Sequence, residues 1–191
     1  MTRVQIIVAS RHGGTAGIAQ RLADTLRTEG LDTRVDLAED RPRAADVDAY
    51  IVGSGVYMGQ WLREAIDFVE HHAPALAARR VWFFSSGPLP LSTKNAVGSD
   101  PLTNAFGPAD GPGSGGHKRI EALTALVHPR DHRVFMGAFD PDASPKTLAE
   151  RVVRAMPISK GILPAGDWRE WDAIEAWARE IAAELRPVAV G

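Results

Sequence analysis

Residues 10–15 combine backbone and side-chain groups that suit an anion. The segment reads Ser-Arg-His-Gly-Gly-Thr; it follows the short apolar run Val4–Ala9 and precedes a helical pattern that begins at Ala16. At such a junction, unpaired N–H groups and the helix dipole attract negative charge. Glycines let the chain wrap closely, and Ser10 and Thr15 add hydroxyl donors. The spacing predicts a phosphate cradle.

The motifs that are missing from this loop indicate which class of phosphate ligand it can bind. A dinucleotide fingerprint needs three glycines at fixed offsets, and a nucleoside triphosphate loop ends in Gly-Lys-Ser/Thr. Residues 10–15 match neither pattern. We therefore expect one phosphate monoester rather than a pyrophosphate.

Other chemistries lack the residues they need. The chain has no cysteine, which excludes thiol redox pairs, disulfides and cysteine-ligated metals. No Gly-x-Ser-x-Gly elbow surrounds Ser54 or Ser86, which argues against a hydrolase. No metal site is expected, because metal-ligand spacing is missing from His71, His72, His117, His128 and His132. Redox chemistry would have to come from a bound cofactor.

Length and charge indicate an ordinary globular protein. The 191 residues, with a formal net charge of -2, suit a single domain over 1–191 and give no reason to expect a nucleic-acid partner. The first ten residues lack the features of a secretory peptide, and no run approaches the roughly 20 apolar residues of a membrane span. We expect a cytoplasmic protein.

Strand-like and helix-like patterns alternate along the chain. Strands are predicted at Val4–Ala9, Thr33–Leu37, Tyr50–Ser54, Val81–Ser86 and Arg133–Phe139. Helices are predicted from Ala16 to a stop at Gly30, at Leu62–His71, Ile120–Val127 and Pro145–Met156, and from a capping box near Asp167.

This alternation predicts an α/β fold: a doubly wound parallel sheet with helices on both faces. Ligands of such sheets bind beyond the carboxyl ends of the strands. Residues 88–118 are rich in Gly, Pro and Ser and fit no regular element. We interpret them as an insertion, or flap, after the fourth strand.

Several segments carry a family resemblance. Residues 10–16, S-R-H-G-G-T-A, resemble the phosphate loop of flavodoxins, although Arg11 and His12 stand where that loop has small or hydroxyl residues. Residues 53–65, G-S-G-V-Y-M-G-Q-W-L-R-E-A, the strand ending F-F-S and the terminal D-W helix are similar to a narrower group. That group is the flavodoxin-domain proteins related to menaquinone-dependent protoporphyrinogen oxidase.

The resemblance implies a fold, a cofactor and a set of contacts. The fold is flavodoxin-like, with five strands in the order 2-1-3-4-5, and the cofactor is FMN rather than FAD. The implied cofactor-binding residues are Ser10, Arg11, His12, Gly13, Gly14, Thr15, Ala16, Ser54, Gly55, Val56, Tyr57, Met58, Gly59, Trp61, Ser85, Ser86, Gly87, Pro88 and Leu89.

Three side chains in this set can be interpreted either as cofactor contacts or as ordinary structural residues. Tyr57 and Trp61 are the aromatics best placed to stack on the flavin ring, or they pack under the following helix. His12 takes part in binding, or it is a solvated loop histidine. The sequence assigns no catalytic residue.

Several functions remain open. The first is an FMN-dependent oxidoreductase resembling the quinone-linked protoporphyrinogen oxidase, with a small-molecule redox substrate or quinone as partner. The second is a flavodoxin-type electron carrier that serves redox proteins. A flavin-free scaffold is a further alternative, whereas a phosphoacceptor receiver would need an aspartate where Ser54 stands. A quinone acceptor implies membrane contact that is at most peripheral, through Arg151, Arg154 and Lys160. The alternative, which we favour, is that this stretch is an ordinary half-buried helix with a solvated face.

Overall fold

A computed structural model describes residues 1–87, 114–139 and 166–186. In chain order the elements are β1 (Arg3–Ala9), α1 (Gly14–Thr28), β2 (Asp32–Leu37), a 3-10 turn (Ala38–Asp40), β3 (Ala49–Tyr57), β4 (Gln60–Trp61), α2 (Arg63–His71), α3 (Ala73–Ala77), β5 (Arg80–Ser86), α4 (Gly115–Val127), β6 (His132–Phe135), β7 (Ala138–Phe139), β8 (Gly166–Asp167) and α5 (Trp171–Leu185).

Five strands form one parallel sheet in the order β2-β1-β3-β5-β6. The two-residue β4 adds an antiparallel pairing to the end of β3. Counting only the parallel strands, this is the predicted order 2-1-3-4-5, so the flavodoxin-like fold is confirmed. The order reverses between β1 and β3, which places the topological switch point where the phosphate cradle is predicted.

Alternating strand residues point to opposite faces of the sheet, and each face has its own core. Ile6, Ile51, Trp82 and Phe84 face α1 and α5. Ile7, Val52 and Phe83 face α2, α3 and α4. Because both faces of the sheet are covered, the central parts of the inner strands are mainly apolar, as in Ile6–Val8, Tyr50–Val52 and Val81–Phe84.

Some predicted boundaries differ from the structure. The fifth parallel strand ends at Phe135 rather than Phe139, because Ala138 and Phe139 leave the sheet and pair antiparallel with β8. The predicted capping box at Asp167 is wrong, since this residue lies in β8 and α5 begins at Trp171. The predicted helix Pro145–Met156, the basic stretch at 151–160 and most of the insertion, 88–113, lie outside the described residues.

None of the helices in the described ranges is long and apolar enough to cross a membrane.

Candidate cofactor site

The strand ends of the sheet bring together the three segments predicted to bind the cofactor. Ala9 pairs with Ser54, and Ser54 pairs with Ser85. The loops that follow β1, β3 and β5 therefore begin side by side at one edge. A ligand at this edge reaches all three.

The first loop has the features of a phosphate cradle. Gly13 takes a left-handed conformation, with φ of 80°, directly before α1, and it provides no side-chain cap. The first backbone bond of α1 runs from the Gly17 N–H to the Gly13 carbonyl, at 2.8 Å. The N–H groups of Gly14, Thr15 and Ala16 thus precede the helical ladder, where N–H groups are open to an external acceptor.

One hydroxyl in this loop points to a ligand. The Ser10 Oγ is buried and has no hydrogen-bond partner among the residues that the structure describes. A buried polar group without a partner costs about 1–3 kcal/mol. A phosphate oxygen, which accepts strongly, would satisfy it.

The first and second loops meet at Gly55. A Cβ on Gly55 would lie 3.0 Å from the Tyr57 ring and 3.1 Å from the Thr15 Oγ1. The Arg11 guanidinium carbon lies 5.1 Å from the centroid of the Tyr57 ring, on its face. Tyr57, which is partly exposed, therefore stands at the junction of the cradle and the second loop.

The second loop is a tight hairpin between β3 and β4. Its two central residues, Met58 and Gly59, both have positive φ, 50° and 72°, as the central residues of a type I′ turn do. Met58 is 99% exposed. Met58, which is one of the predicted cofactor contacts, thus lies at the outer tip of the hairpin.

The predicted serines of the second and third loops use their hydroxyls within the protein. The Ser54 Oγ donates to the Gly55 carbonyl and accepts from the Leu62 N–H, both at 2.9 Å. The Ser85 Oγ accepts from the Trp61 Nε1, at 2.8 Å. Both serines are fully buried, so they hold the hairpin against the sheet.

Trp61 lies in the core rather than at the surface. Its side chain is 5% exposed and packs edge-on against Phe83, with ring centroids 5.1 Å apart. The ring belongs to the apolar cluster under α2. Of the two aromatics considered for stacking on the flavin ring, Tyr57 is the one with exposed surface.

A histidine that the sequence reasoning missed completes this hydrogen-bond chain. The His132 Nε2 lies 2.8 Å from the Ser85 Oγ. Burial lowers the pKa of His132 to about 4, although the neighbouring Asp131 carboxylate opposes the shift. The imidazole is therefore neutral at neutral pH. The Trp61 Nε1 can only donate, whereas the direction of the hydrogen bond between Ser85 and His132 depends on the tautomer of the neutral imidazole.

The third loop begins with a sharp turn. Ser86 is 7% exposed, and Gly87 has φ of 108° and donates its N–H to the Phe135 carbonyl at 3.0 Å. Pro88 and Leu89, the other predicted contacts of this loop, lie outside the described residues.

The C-terminal segment adds an arginine that no sequence pattern indicated. The Arg169 Nη1 donates to the Gly14 carbonyl at 3.2 Å, and a Cβ on Gly14 would lie 3.6 Å from the Ala138 carbonyl oxygen. The short β7–β8 sheet and the residues after it thus pack on the first turn of α1.

The chain matches the family model described as "Flavodoxin domain" over residues 5–143. It belongs to the flavodoxin domain family. A comparison with curated proteins found no significant match.

Solved structures with the same fold include flavodoxins. A flavodoxin of Streptococcus pneumoniae TIGR4 is 19% identical with a TM-score of 0.53, and the match covers 96% of this chain and 99% of that one. Flavodoxin 1 of Bacillus cereus is 14% identical with a TM-score of 0.57, covering 97% and 100% of the two chains.

An enzyme also contains this fold. Rubredoxin oxygen:oxidoreductase of Desulfovibrio gigas is 16% identical with a TM-score of 0.53; the match covers 97% of this chain but 36% of that one. At these identities the likenesses show the fold alone. The chain spans about a third of the length of that oxidoreductase.

Flavodoxin domains bind FMN, which confirms the predicted cofactor at the level of the family. The residues present fit this group. The cradle offers one buried hydroxyl that has no partner among the described residues, and the N–H groups of one helix start, which suit a single phosphate monoester.

Proposed function

We propose that this protein is an FMN-dependent oxidoreductase that transfers electrons from an organic donor to a quinone, as the menaquinone-linked protoporphyrinogen oxidase it resembles does. The observation that carries the choice is the third loop. It reads Ser-Ser-Gly-Pro-Leu-Pro over residues 85–90 and offers no aromatic ring. These residues would therefore supply no aromatic side chain to cover one flavin face, which favours access of a substrate to that face.

The roles of the chain's own residues follow from their contacts. Bound FMN supplies the redox chemistry, since it accepts two electrons from a donor and returns them to an acceptor. Ser10, Thr15 and the start of α1 would hold the phosphate. Tyr57 and the backbone of residues 55–59 would contact the flavin ring. Ser54 and Ser85 keep that backbone in place through Leu62 and Trp61.

The proposed reaction is a dehydrogenation of the donor coupled to reduction of the quinone. Each cycle removes two electrons and two protons from a hydrophobic donor such as protoporphyrinogen, which gains one double bond. The quinone takes up the same two electrons and two protons and becomes a hydroquinone.

Met58 supports a hydrophobic partner at this site. Asn or Gly is the usual residue at the first central position of a turn with two positive φ angles, and Met is sterically disfavoured there. A fully exposed apolar side chain in a strained conformation, beside Tyr57, suggests a contact surface for an apolar molecule.

An electron carrier is the second candidate, and one observation favours it. The Streptococcus pneumoniae and Bacillus cereus flavodoxins match this chain over essentially their whole length, so a domain of this size is sufficient for the flavodoxin fold. Against it, the net charge of -2 gives little electrostatic steering toward a charged protein partner.

The test is turnover by the purified FMN-loaded protein. We expect steady oxidation of a tetrapyrrole or another hydrophobic donor with a quinone. Absence of turnover with tetrapyrrole and nicotinamide donors, together with fast and salt-sensitive electron exchange with redox proteins, would reject the enzyme in favour of the carrier.

The Met58→Asn variant sharpens this test. Asn tolerates positive φ, so the stability of the folded protein should stay equal or rise by up to about 1 kcal/mol. The KM for the hydrophobic donor should rise by a larger factor than the FMN dissociation constant, because the substitution keeps the backbone that the cofactor would meet. Leu126→Asn is the matched control, because Leu126 is another exposed apolar residue, 43% exposed, on α4. An unchanged KM in Met58→Asn would remove this residue from the substrate surface.

A further inference from the structure

We propose that Arg169 is a positioning residue of the phosphate cradle, which fixes the Gly14–Thr15 peptide so that its N–H is held ready for the FMN phosphate. The inference rests on the FMN-binding function proposed above. It adds a C-terminal residue to a site that the sequence placed in three N-terminal and central loops.

The guanidinium of Arg169 is held by two neighbouring side chains. Its Nε and Nη2 donate to the two carboxylate oxygens of Asp167, at 2.7 and 2.5 Å, and its carbon lies 4.4 Å from the centroid of the Trp171 ring. The side chain is only 17% exposed. A two-point carboxylate contact and a stacked ring leave the planar group little freedom.

The remaining donor of this fixed group reaches the cradle. The Arg169 Nη1 lies 3.2 Å from the Gly14 carbonyl oxygen. In a planar peptide the carbonyl and the following N–H point in opposite directions, so holding the Gly14 carbonyl also orients the Thr15 N–H. A cation at the carbonyl further polarises the peptide, which strengthens that N–H as a donor.

The sequence of α1 permits this approach. A Cβ on Gly17 would lie 2.5 Å from the Arg169 Nη1, so a side chain at this position would displace the guanidinium. Glycine in a helix interior costs about 1 kcal/mol relative to alanine. The contact with Arg169 gives a physical reason for its presence in the first turn of α1.

The charge of Arg169 is balanced locally. Hydrogen bonds from Arg169 hold the pKa of Asp167 below its usual value, more than offsetting the effect of its partial burial. Because the pair is nearly neutral as a unit, its effect on a phosphate is one of hydrogen-bond orientation rather than of long-range attraction. The contribution should therefore survive in high salt.

Arg21 offers a matched control. Its guanidinium also lies over Trp171, 4.9 Å from the ring centroid, but it donates to Glu175 at 2.8 Å rather than to the cradle. Substitution of Arg21 therefore removes an arginine from the same Trp171 ring but leaves the hydrogen bond between Arg169 and Gly14 in place.

The experiment compares binding of FMN and of riboflavin, which lacks the phosphate, to the apoprotein. We expect Arg169→Met to weaken FMN binding by about tenfold, the value of one charge-assisted hydrogen bond, in low and high salt alike. Riboflavin binding should change less than about twofold, and Arg21→Met should leave both constants unchanged.

A second variant guards against a folding defect. Gly17→Ala favours the helix but pushes the Arg169 Nη1 away, so it should weaken FMN binding selectively while the protein unfolds at the same or a higher denaturant concentration. Equal losses for FMN and riboflavin in both variants, or no loss in either, would overturn the role of Arg169. If the unaltered protein binds no FMN, the proposed function itself fails, which is a separate result.

Discussion

At the scale of single residues, the site contains hydroxyl groups in two different states. The Ser10 Oγ is buried without a partner among the described residues, whereas the Ser85 Oγ is engaged by Trp61 and His132. The first hydroxyl is available for a ligand, and the second is already part of the fold. The two serines should therefore respond in opposite ways to the same substitution.

Substitution of each serine by alanine tests this division. Ser10→Ala removes an unsatisfied group, so the apoprotein should be as stable or about 1 kcal/mol more stable, while FMN binding weakens by about tenfold to a hundredfold. Ser85→Ala leaves the Trp61 N–H without its acceptor and should lower the free energy of unfolding by about 1–3 kcal/mol. Denaturant unfolding and FMN titration of both variants measure the effects; a destabilised Ser10→Ala apoprotein would contradict the first.

The second residue-scale prediction concerns His132 and pH. The pKa of this imidazole is about 4 in the folded protein, below the value of about 6.5 for a free histidine. Between these values the unfolded chain binds a proton that the folded protein does not, so the stability from this group is complete above pH 6.5 and falls as the pH drops toward 4. The loss should be at most about 3 kcal/mol.

The measurement is the slope of unfolding free energy against pH. Wild type should lose more stability between pH 6.5 and 5 than His132→Asn, and the exposed His128→Asn should follow wild type. Hydrogen bonds from Arg133 and Trp177 outweigh the effect of burial and hold the pKa of Asp131 low, so this carboxylate loses its contribution at more acidic pH in all three proteins. Parallel curves for wild type and His132→Asn would show that His132 is not the titrating group.

The sequence indicated some of these residues and not others for a physical reason. Ser10, Gly13 and Thr15 are found because a strand, a glycine turn and a helix start are neighbours along the chain. The contact of Ser85 with His132 spans 47 residues and that of Gly14 with Arg169 spans 155. Such pairs are created by packing and leave no local pattern.

At the scale of elements, β3 and β5 pack a glycine against an aromatic ring. Gly53 pairs with Phe84, and a Cβ on Gly53 would lie 2.0 Å from atoms of the Phe84 ring. The Phe84 ring is fully buried among Phe135 and Trp177. The glycine is thus required by the ring that lies over it.

Gly53→Ala should therefore lower the free energy of unfolding by about 1–3 kcal/mol, as overpacking does in a dense core. The double variant Gly53→Ala, Phe84→Leu should recover part of this loss, because leucine leaves room for the added methyl group. Additive losses in the double variant, measured by denaturant unfolding, would mean that the two residues do not share this space.

Elements that are long enough to show a periodic burial pattern were predicted well, and shorter elements were missed. The five parallel strands and α1 are visible in the sequence because burial on both sheet faces and on one helix face imposes a pattern. The two-residue strands β4, β7 and β8 are too short for any period, and the hairpin before β4 has Met58 where Asn is the usual signal. The false helix start at Asp167 arose because this carboxylate binds Arg169 instead of capping a helix.

At the scale of the whole molecule, the insertion distinguishes an enzyme from a carrier. If residues 88–113 help to admit a substrate, shortening them should lower kcat with the hydrophobic donor and leave the FMN dissociation constant unchanged. A carrier would tolerate the deletion in assays of electron exchange with protein partners. Turnover at the wild-type rate in the shortened protein would remove the insertion from the proposed reaction.

The position of α5 in the chain has a consequence for synthesis on the ribosome. The face of the sheet that carries Trp82 and Phe84 is completed by α5, and the cradle in the first fifteen residues is braced by Arg169. Translation delivers the sheet strands first and this cover last. Because α5 is translated after the strands, Trp82 and Phe84 lack this part of their apolar cover until α5 has been made and packs on the sheet.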